Sequence, residues 1–130
     1  LATLVFGSNT SLIDQQFKFD MANRVVPRMS VNHANGYSGV RITGRDPKGG
    51  INPETELVAT SPFWVDAESS ALRSFEMTIG VTPGNQVFIN APKVQVNAMG
   101  YGDRDGLRTY DLGLAFRRNL GNDEIEIAFN

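Results

Sequence analysis

The chain has 130 residues, 41% hydrophobic and 20% charged, the balance of one folded globular domain rather than a disordered segment. No apolar run approaches the roughly 20 residues of a membrane-spanning helix, and a formal net charge of −2 argues against a nucleic-acid binder built on a basic stripe. Cysteine is absent, which removes disulfide scaffolds, Cys-based zinc sites and thiol chemistry together.

The chain opens on strand-like text at Leu1 rather than Met, and residues 1–130 read as one domain excised or processed from a longer protein. With 13 Gly and 6 Pro, many short elements joined by turns are expected. Residues 13–19 (Ile13, Phe17 and Phe19 on one face), 24–31 and 39–43 read as strands, with Asn35-Gly36 as a hairpin turn between the last two. Residues 44–60 are poor in core residues and rich in Gly and Pro, and read as a long excursion. Ser61-Pro62 carries a helix-start pattern, Ser as N-cap and Pro at the first helical position. The helix is expected over 62–70, with Phe63 and Trp64 on the face that caps the core.

From 74 to 81 the chain alternates, Phe75, Met77, Ile79 and Val81 on one face and Ser74, Glu76 and Thr78 on the other. Thr82-Pro83-Gly84-Asn85 supplies a turn, after which Val87 and Ile89 resume the apolar face. For Ile79 and Val87 to share a face the loop needs an odd number of residues; a three-residue loop is expected, Gly84 taking the left-handed conformation. Alternation returns over 93–99, entered through Ala91-Pro92, and over 107–116 with Leu112, Leu114 and Phe116 inward. The last strand spans 124–129. With Gly121-Asn122 as a two-residue loop, Phe116 would face Ile127 and Arg117 would face Glu126, apolar against apolar and positive against negative. Seven to nine strands and one short helix make a mainly β fold, an antiparallel β-sandwich or small barrel.

Chemistry-bearing patterns are sparse. His33 is the single histidine, so a Ser-His-Asp triad would have to use it, and no Gly-x-Ser-x-Gly elbow exists. A metal site with two histidines is impossible within one chain. Asp103-Arg104-Asp105-Gly106 invites a calcium reading, but Arg104 intrudes and the closing Glu of a calcium loop is missing; a β-turn explains it. Glu76, Asp111, Glu124 and Glu126 could supply a carboxylate pair for glycoside hydrolysis, as any acidic β-protein could. Tyr37, Phe63, Trp64 and Tyr101 are candidates for a sugar-stacking platform, which keeps a carbohydrate-binding β-sandwich open as the alternative function. Asn9-Thr10-Ser11 fits a glycosylation acceptor, and Gly100-Tyr101-Gly102 lacks the Lys and helix of a phosphate loop. The chain is not read as an enzyme: no catalytic, metal or cofactor-binding residue is assigned.

The stretch Ala91-Pro92-Lys93-Val94-Gln95, then 101–111 (Tyr-Gly-Asp-Arg-Asp-Gly-Leu-Arg-Thr-Tyr-Asp), and the ending Gly121-Asn122-Asp123-Glu124-Ile125-Glu126-Ile127 resemble the C-terminal part of phage tail tube proteins. Val25-Val26-Pro27-Arg28, Gly44-Arg45-Asp46-Pro47, Ile51-Asn52-Pro53-Glu54 and Phe63-Trp64 fit the same pattern, so the resemblance covers about residues 20–130. It implies a structural subunit of the virion tail, assembled in the host bacterial cytoplasm into rings six domains around. Stacked rings would form a hollow tube that passes DNA without sequence-specific binding. Copies of the chain would be the partners, with no membrane and no small-molecule substrate. Residues expected to contact neighbouring subunits are Arg45, Asp46, Pro47, Lys48 and Ile51 in the excursion, with Tyr101, Asp103, Arg104 and Asp105 in the second turn region.

Overall fold

The apolar alternation becomes sheet over most of the chain. The computed structural model describes residues 2–10 and 12–130, with 54% of the chain in strands and 5% in helix. In chain order the elements are β1 (Ala2–Phe6), β2 (Phe17–Asp20), β3 (Arg24–Met29), β4 (Tyr37–Gly44), β5 (Lys48–Ile51), α1 (Phe63–Ser69), β6 (Leu72–Ile79), β7 (Val87–Arg104), β8 (Leu107–Phe116) and β9 (Glu126–Phe129). Seven of them form one antiparallel sheet, ordered β1-β6-β7-β8-β5-β2 with β9 also on β7, curled into a half-barrel. β3 and β4 form a separate two-stranded sheet. The mainly β architecture with one short helix is the one expected. No helix among the described residues is long and apolar enough to cross a membrane.

The concave side of the curl holds the core. Phe75 is completely buried, with the rings of Phe17, Phe116 and Phe6 at 5.0, 6.4 and 6.5 Å between centroids. Val94 and Val96 of β7 and Leu112, Leu114 and Phe116 of β8 line the same side, the last three as expected from their alternation. Each of these large side chains contributes about 1.5–3 kcal/mol by leaving water. The helix closes the mouth of the curl by inserting Phe63, which meets Phe6 and Tyr110. It is fastened by Asp66, buried at 3% exposure, which accepts two hydrogen bonds from the Arg73 guanidinium of β6 at 2.6 and 3.0 Å.

Several sequence expectations change in detail. The helix starts one residue later than expected, with Pro62 at the N-cap position. Ser61 does not cap it, because its hydroxyl donates to Glu56 Oε2 (2.6 Å) and accepts from Asn9 Nδ2 (2.5 Å). Trp64 points outward from α1 while Phe63 points in. The parity argument at 79–87 holds, since Ile79 pairs with Val87 and Gly84 has φ of +88°. The loop itself runs over 80–86, longer than three, and closes through Asn85 N–H donating to Thr82 O. Of the 13–19 strand only β2 is ladder; residues 13–16 are held instead by Glu54 N–H to Ile13 O, Asn52 N–H to Asp14 Oδ1 and Gln16 N–H to Asn52 Oδ1.

Two corrections are larger. The supposed excursion 44–60 contains β5, an interior strand between β8 and β2, with Ile51 and Pro47 buried. Its glycines are there because the space is taken. A Cβ on Gly49 would collide with the Lys18 carbonyl and come within 2.8 Å of the Phe116 ring. The expected hairpin between 107–116 and 124–129 does not form. β8 already has β7 on one side (Val94 opposite Phe116) and β5 on the other (Lys48 opposite Ala115), so no edge is left. β9 pairs instead with the first part of β7, Ile127 opposite Ile89 and Glu126 opposite Asn90, and Arg117 bonds Gln95. Gly121 and Asn122 belong to a wider loop drawn together by Asp123, whose carboxylate accepts the N–H groups of Asn119, Leu120 and Gly121. Those bonds hold the Asp123 carboxyl below the usual range.

Replacing Arg73 by Met leaves the buried Asp66 carboxylate without its cation. The expected loss is about 3 kcal/mol, read from the denaturant midpoint at unchanged slope, whereas Arg108→Met at the surface should cost far less.

Candidate assembly surfaces

The residues expected to contact neighbours occupy two separate places. Arg45, at the end of the β3–β4 hairpin, donates through Nη2 to Asn122 Oδ1 (2.6 Å) and pairs with Glu124 (3.2 Å), tying the hairpin base to the 119–124 loop. Asp46 and Lys48 form an exposed pair at 2.9 Å; the ammonium donates to the Asp46 carboxyl and holds it below its ordinary value. Pro47 accepts Phe116 N–H through its carbonyl, and its side chain, like that of Ile51, is buried within the chain. Lys48 lies opposite Ala115, at one end of β8. Tyr101, Asp103, Arg104 and Asp105 lie at the other end, where Arg104 pairs with Leu107. Along β8, eight residues or about 27 Å separate the Lys48 level from the Leu107 end, whereas Ile51, opposite Leu112, comes near Tyr101, opposite Tyr110, and Arg104 bonds Asn52 beside it.

The β7–β8 tip is built by Asp105 and Gly106, both at positive φ, with Gly106 N–H donating to Asp103 Oδ1. Arg104 turns back into the protein: Nη2 donates to the Asn52 carbonyl at 2.5 Å, Nη1 is 3.7 Å from Glu54, and its buried Nε has no partner. Asp103 and Asp105 are left exposed, while Arg104 is withdrawn. Among the described residues no three His, Cys, Asp or Glu side chains converge as a metal site. Trp64 and Tyr101 are 42% and 50% exposed and meet at 5.8 Å. The Arg108 guanidinium sits 4.2 Å from the Tyr101 centroid, so that ring has a cation where a stacking platform would need an open face. Glu76 and Glu126 flank Asn90 on an exposed side of the sheet, Glu126 lining an open hollow with Asn90, Pro92, Asn122, Asp123 and Ile125, and Glu124 is committed to Arg45. His33 lies exposed in the loop between β3 and β4. Asn9 is engaged by Glu56 and Ser61, and Ser11, which completes the acceptor triplet, lies outside the described residues.

Sequence reasoning missed the most exposed apolar surface, the β3–β4 sheet. β3 is uninterrupted, so Arg24, Val26 and Arg28 alternate with Val25 and Pro27. Across the ladder Val25 faces Ile42, Pro27 faces Val40 and Val26 faces Arg41. One face is therefore Val25, Pro27, Val40 and Ile42, wholly apolar, and the other carries Arg24, Arg28 and Arg41. Irregularities on β4 at Thr43 and around Gly39 (φ +113°) preserve this sorting. Val25, Val40 and Ile42 are 56%, 67% and 53% exposed, and β3 and β4 join no third strand. An isolated two-stranded ribbon is marginally stable in water. The signal was present: no Asp or Glu lies between Asp20 and Asp46, where four arginines alternate with Val, Pro and Ile.

No protein-family model and no curated protein matches the chain. Solved structures do share the fold. A chain of the anti-feeding prophage cap, which terminates the tube of that particle, superposes with a TM-score of 0.68 at 8% identity, over 99% of this chain and 88% of that one. A chain from the virion of a native gene transfer agent particle gives 0.60 at 12% identity, over 98% and 95%. A chain from the tail of the empty gene transfer agent particle, solved with C6 symmetry, gives 0.55 at 12% identity, over 94% and 85%. At such identities the likeness is one of fold.

One group near the tip titrates unusually. Burial pushes the Asp14 carboxyl above its ordinary 3.8, against the opposing Asn52 N–H and Arg104. A raised folded pKa means that the native state binds this proton more readily than the unfolded chain, so the group's unfavourable contribution grows as pH rises past 3.8. Asn at position 14 retains an acceptor for Asn52 N–H. Asp14→Asn should therefore unfold at a higher temperature than the native chain at pH 7, the gap closing as pH falls below 3.8.

Proposed function

We propose that this chain is a structural subunit of a bacteriophage tail tube. Six domains form a ring, rings stack into a hollow tube in the virion tail after assembly in the host cytoplasm, and DNA passes through the lumen without sequence-specific binding. The observation that carries this reading is the β3–β4 hairpin, an unpartnered sheet with one entirely apolar face. A monomer gains nothing from holding Val25, Val40 and Ile42 in water, whereas a subunit that seats them on a second copy recovers the burial energy of each. Open strands support the same reading. β1 and β2 end the main sheet and β9 has β7 as its partner among the described strands, so edges remain available for pairing between copies. The likeness of fold to chains of tube-bearing and tail particles agrees with it. A net charge of −2 gives a conduit little hold on phosphate. Arg45, Asp46 and Lys48 at the hairpin base and Tyr101, Asp103 and Asp105 at the β7–β8 tip remain the proposed subunit contacts, while Pro47, Ile51 and Arg104 act within the chain to hold them in place.

Negative-stain microscopy and light scattering of the purified chain test this. Rings or tubes with a central hole are expected, and a monomer at every concentration that is retained on polysaccharide would sink the reading in favour of a carbohydrate-binding module. The double substitution Val40→Asp/Ile42→Asp should abolish assembly while changing monomer stability by less than about 0.5 kcal/mol, as for other exposed positions.

A further inference from the structure

The hairpin has a second face, and the molecule carries a surface that matches it. Arg24, Arg28 and Arg41 share that face with Val26, and among the described residues none of the three arginines makes an ion pair. The β7–β8 tip is the complement. Asp103 and Asp105 are exposed and make no ion pair among the described residues, with Arg108 opposite Asp103 across the ladder but drawn over the Tyr101 ring, and the cation between them in sequence, Arg104, is drawn inward by Asn52 and Glu54. What would be a mixed Asp-Arg-Asp turn therefore presents two carboxylates, beside the exposed apolar Leu107.

Building on the assembly reading above, we infer that the cationic face of the β3–β4 hairpin docks on the acidic β7–β8 tip of a second copy of this chain. Arg28 and Arg41 sit diagonally across the ladder, about 7 Å apart, and both can reach a compact acidic turn in which Asp103 and Asp105 are two residues apart and Asp105 has positive φ. One chain cannot satisfy itself. The hairpin leaves the body beside Pro47, whose carbonyl binds Phe116 at the end of β8, and the tip begins at Leu107, nine residues or about 30 Å along the same strand. Contact between unlike surfaces is head-to-tail, the type of association that closes into rings or continues as a filament. Three arginines on one face could also meet a phosphate backbone. The acidic tip on the same molecule, and a chain that is net negative, favour a copy of the chain.

The test uses three variants of the chain: Arg28→Glu/Arg41→Glu, Asp103→Arg/Asp105→Arg, and the quadruple variant carrying both pairs. All four proteins are compared by circular dichroism, sedimentation velocity and binding to a short DNA duplex. Each double variant should fold and need at least about tenfold higher concentration to assemble, since two attractive pairs become repulsive. The quadruple variant, with both charges inverted, should recover assembly. If the native chain assembles and the Asp103→Arg/Asp105→Arg protein assembles equally well, the docking is wrong while the assembly reading stands. A folded quadruple variant that stays dispersed overturns it too. So does an Arg28→Glu/Arg41→Glu protein that assembles normally but loses DNA binding, because the arginine face would then serve phosphate. If the native chain never assembles, both the reading and this docking fall.

Discussion

Pro92 has no N–H to give to a ladder, and the curl of the main sheet is arranged around that deficit. Within a sheet, proline is tolerated at edges and bulges. In β7 it stands at a level where neither flank requires a bond. On one side the register with β6 slips between Phe75–Ala91 and Arg73–Val94. On the other, β9 has ended at Asn90 and β8 begins at Val94. One strand of 18 residues can therefore serve two consecutive partners without a break. A bulge bends the strand that carries it and sharpens its twist, and that bend brings Phe75 of β6 and Phe116 of β8 to 6.4 Å.

How far the sequence discloses this structure depends on whether a signal is local. Alternation over 74–81 and 107–116 is local, and both strands form; Leu112, Leu114 and Phe116 face inward as expected, whereas Phe75 and Met77 reach the core but Ile79 is exposed and Val81 lies beyond the strand. The parity of the 79–87 loop is nearly local and holds, though the loop is longer than its turn residues suggest. Competition for edges is not local. Phe116 opposite Ile127 and Arg117 opposite Glu126 would be good pairs, but β5 had already taken the edge they need. β5 itself was hidden because Lys48-Gly49-Gly50 looks like linker; its glycines answer crowding by Phe116 and Lys18, which no reading of the segment alone can see. At the candidate contacts the same division holds. The exposure of Asp103 and Asp105 follows from turn chemistry, whereas the inward fold of Arg104 depends on Asn52 and Glu54, fifty residues earlier in the chain.

The hairpin is the opposite case: its two strands and the turn region between them are read from the sequence and form, but the exposure of its faces is not read there. Its alternation is as regular as that of a core strand, and alternating apolar residues ordinarily face a core. Here the body offers none. β3 and β4 pair with each other alone, and the base is fixed by Arg45 to Asn122 and Glu124 rather than by packing. Apolar side chains that alternate with arginines, in a run free of acids, describe a surface whose core lies elsewhere.

That absence bears on how stability divides between chain and assembly. The main sheet has its own aromatic core and a helix clamped by Asp66 and Arg73. The hairpin lacks both a core and a third strand, so its order is worth little until something lies against it. In the proposed assembly, a chain divided this way would keep its body folded while free and leave the hairpin to be ordered by the neighbour it meets. Edge strands alone would invite copies to pair in any register, as exposed edges do in aggregates. Under the proposed docking, an arm that had to seat apolar residues on one side and match charge on the other would allow few relative orientations, and restricting the orientation is what separates a closed ring from an indefinite stack of sheets.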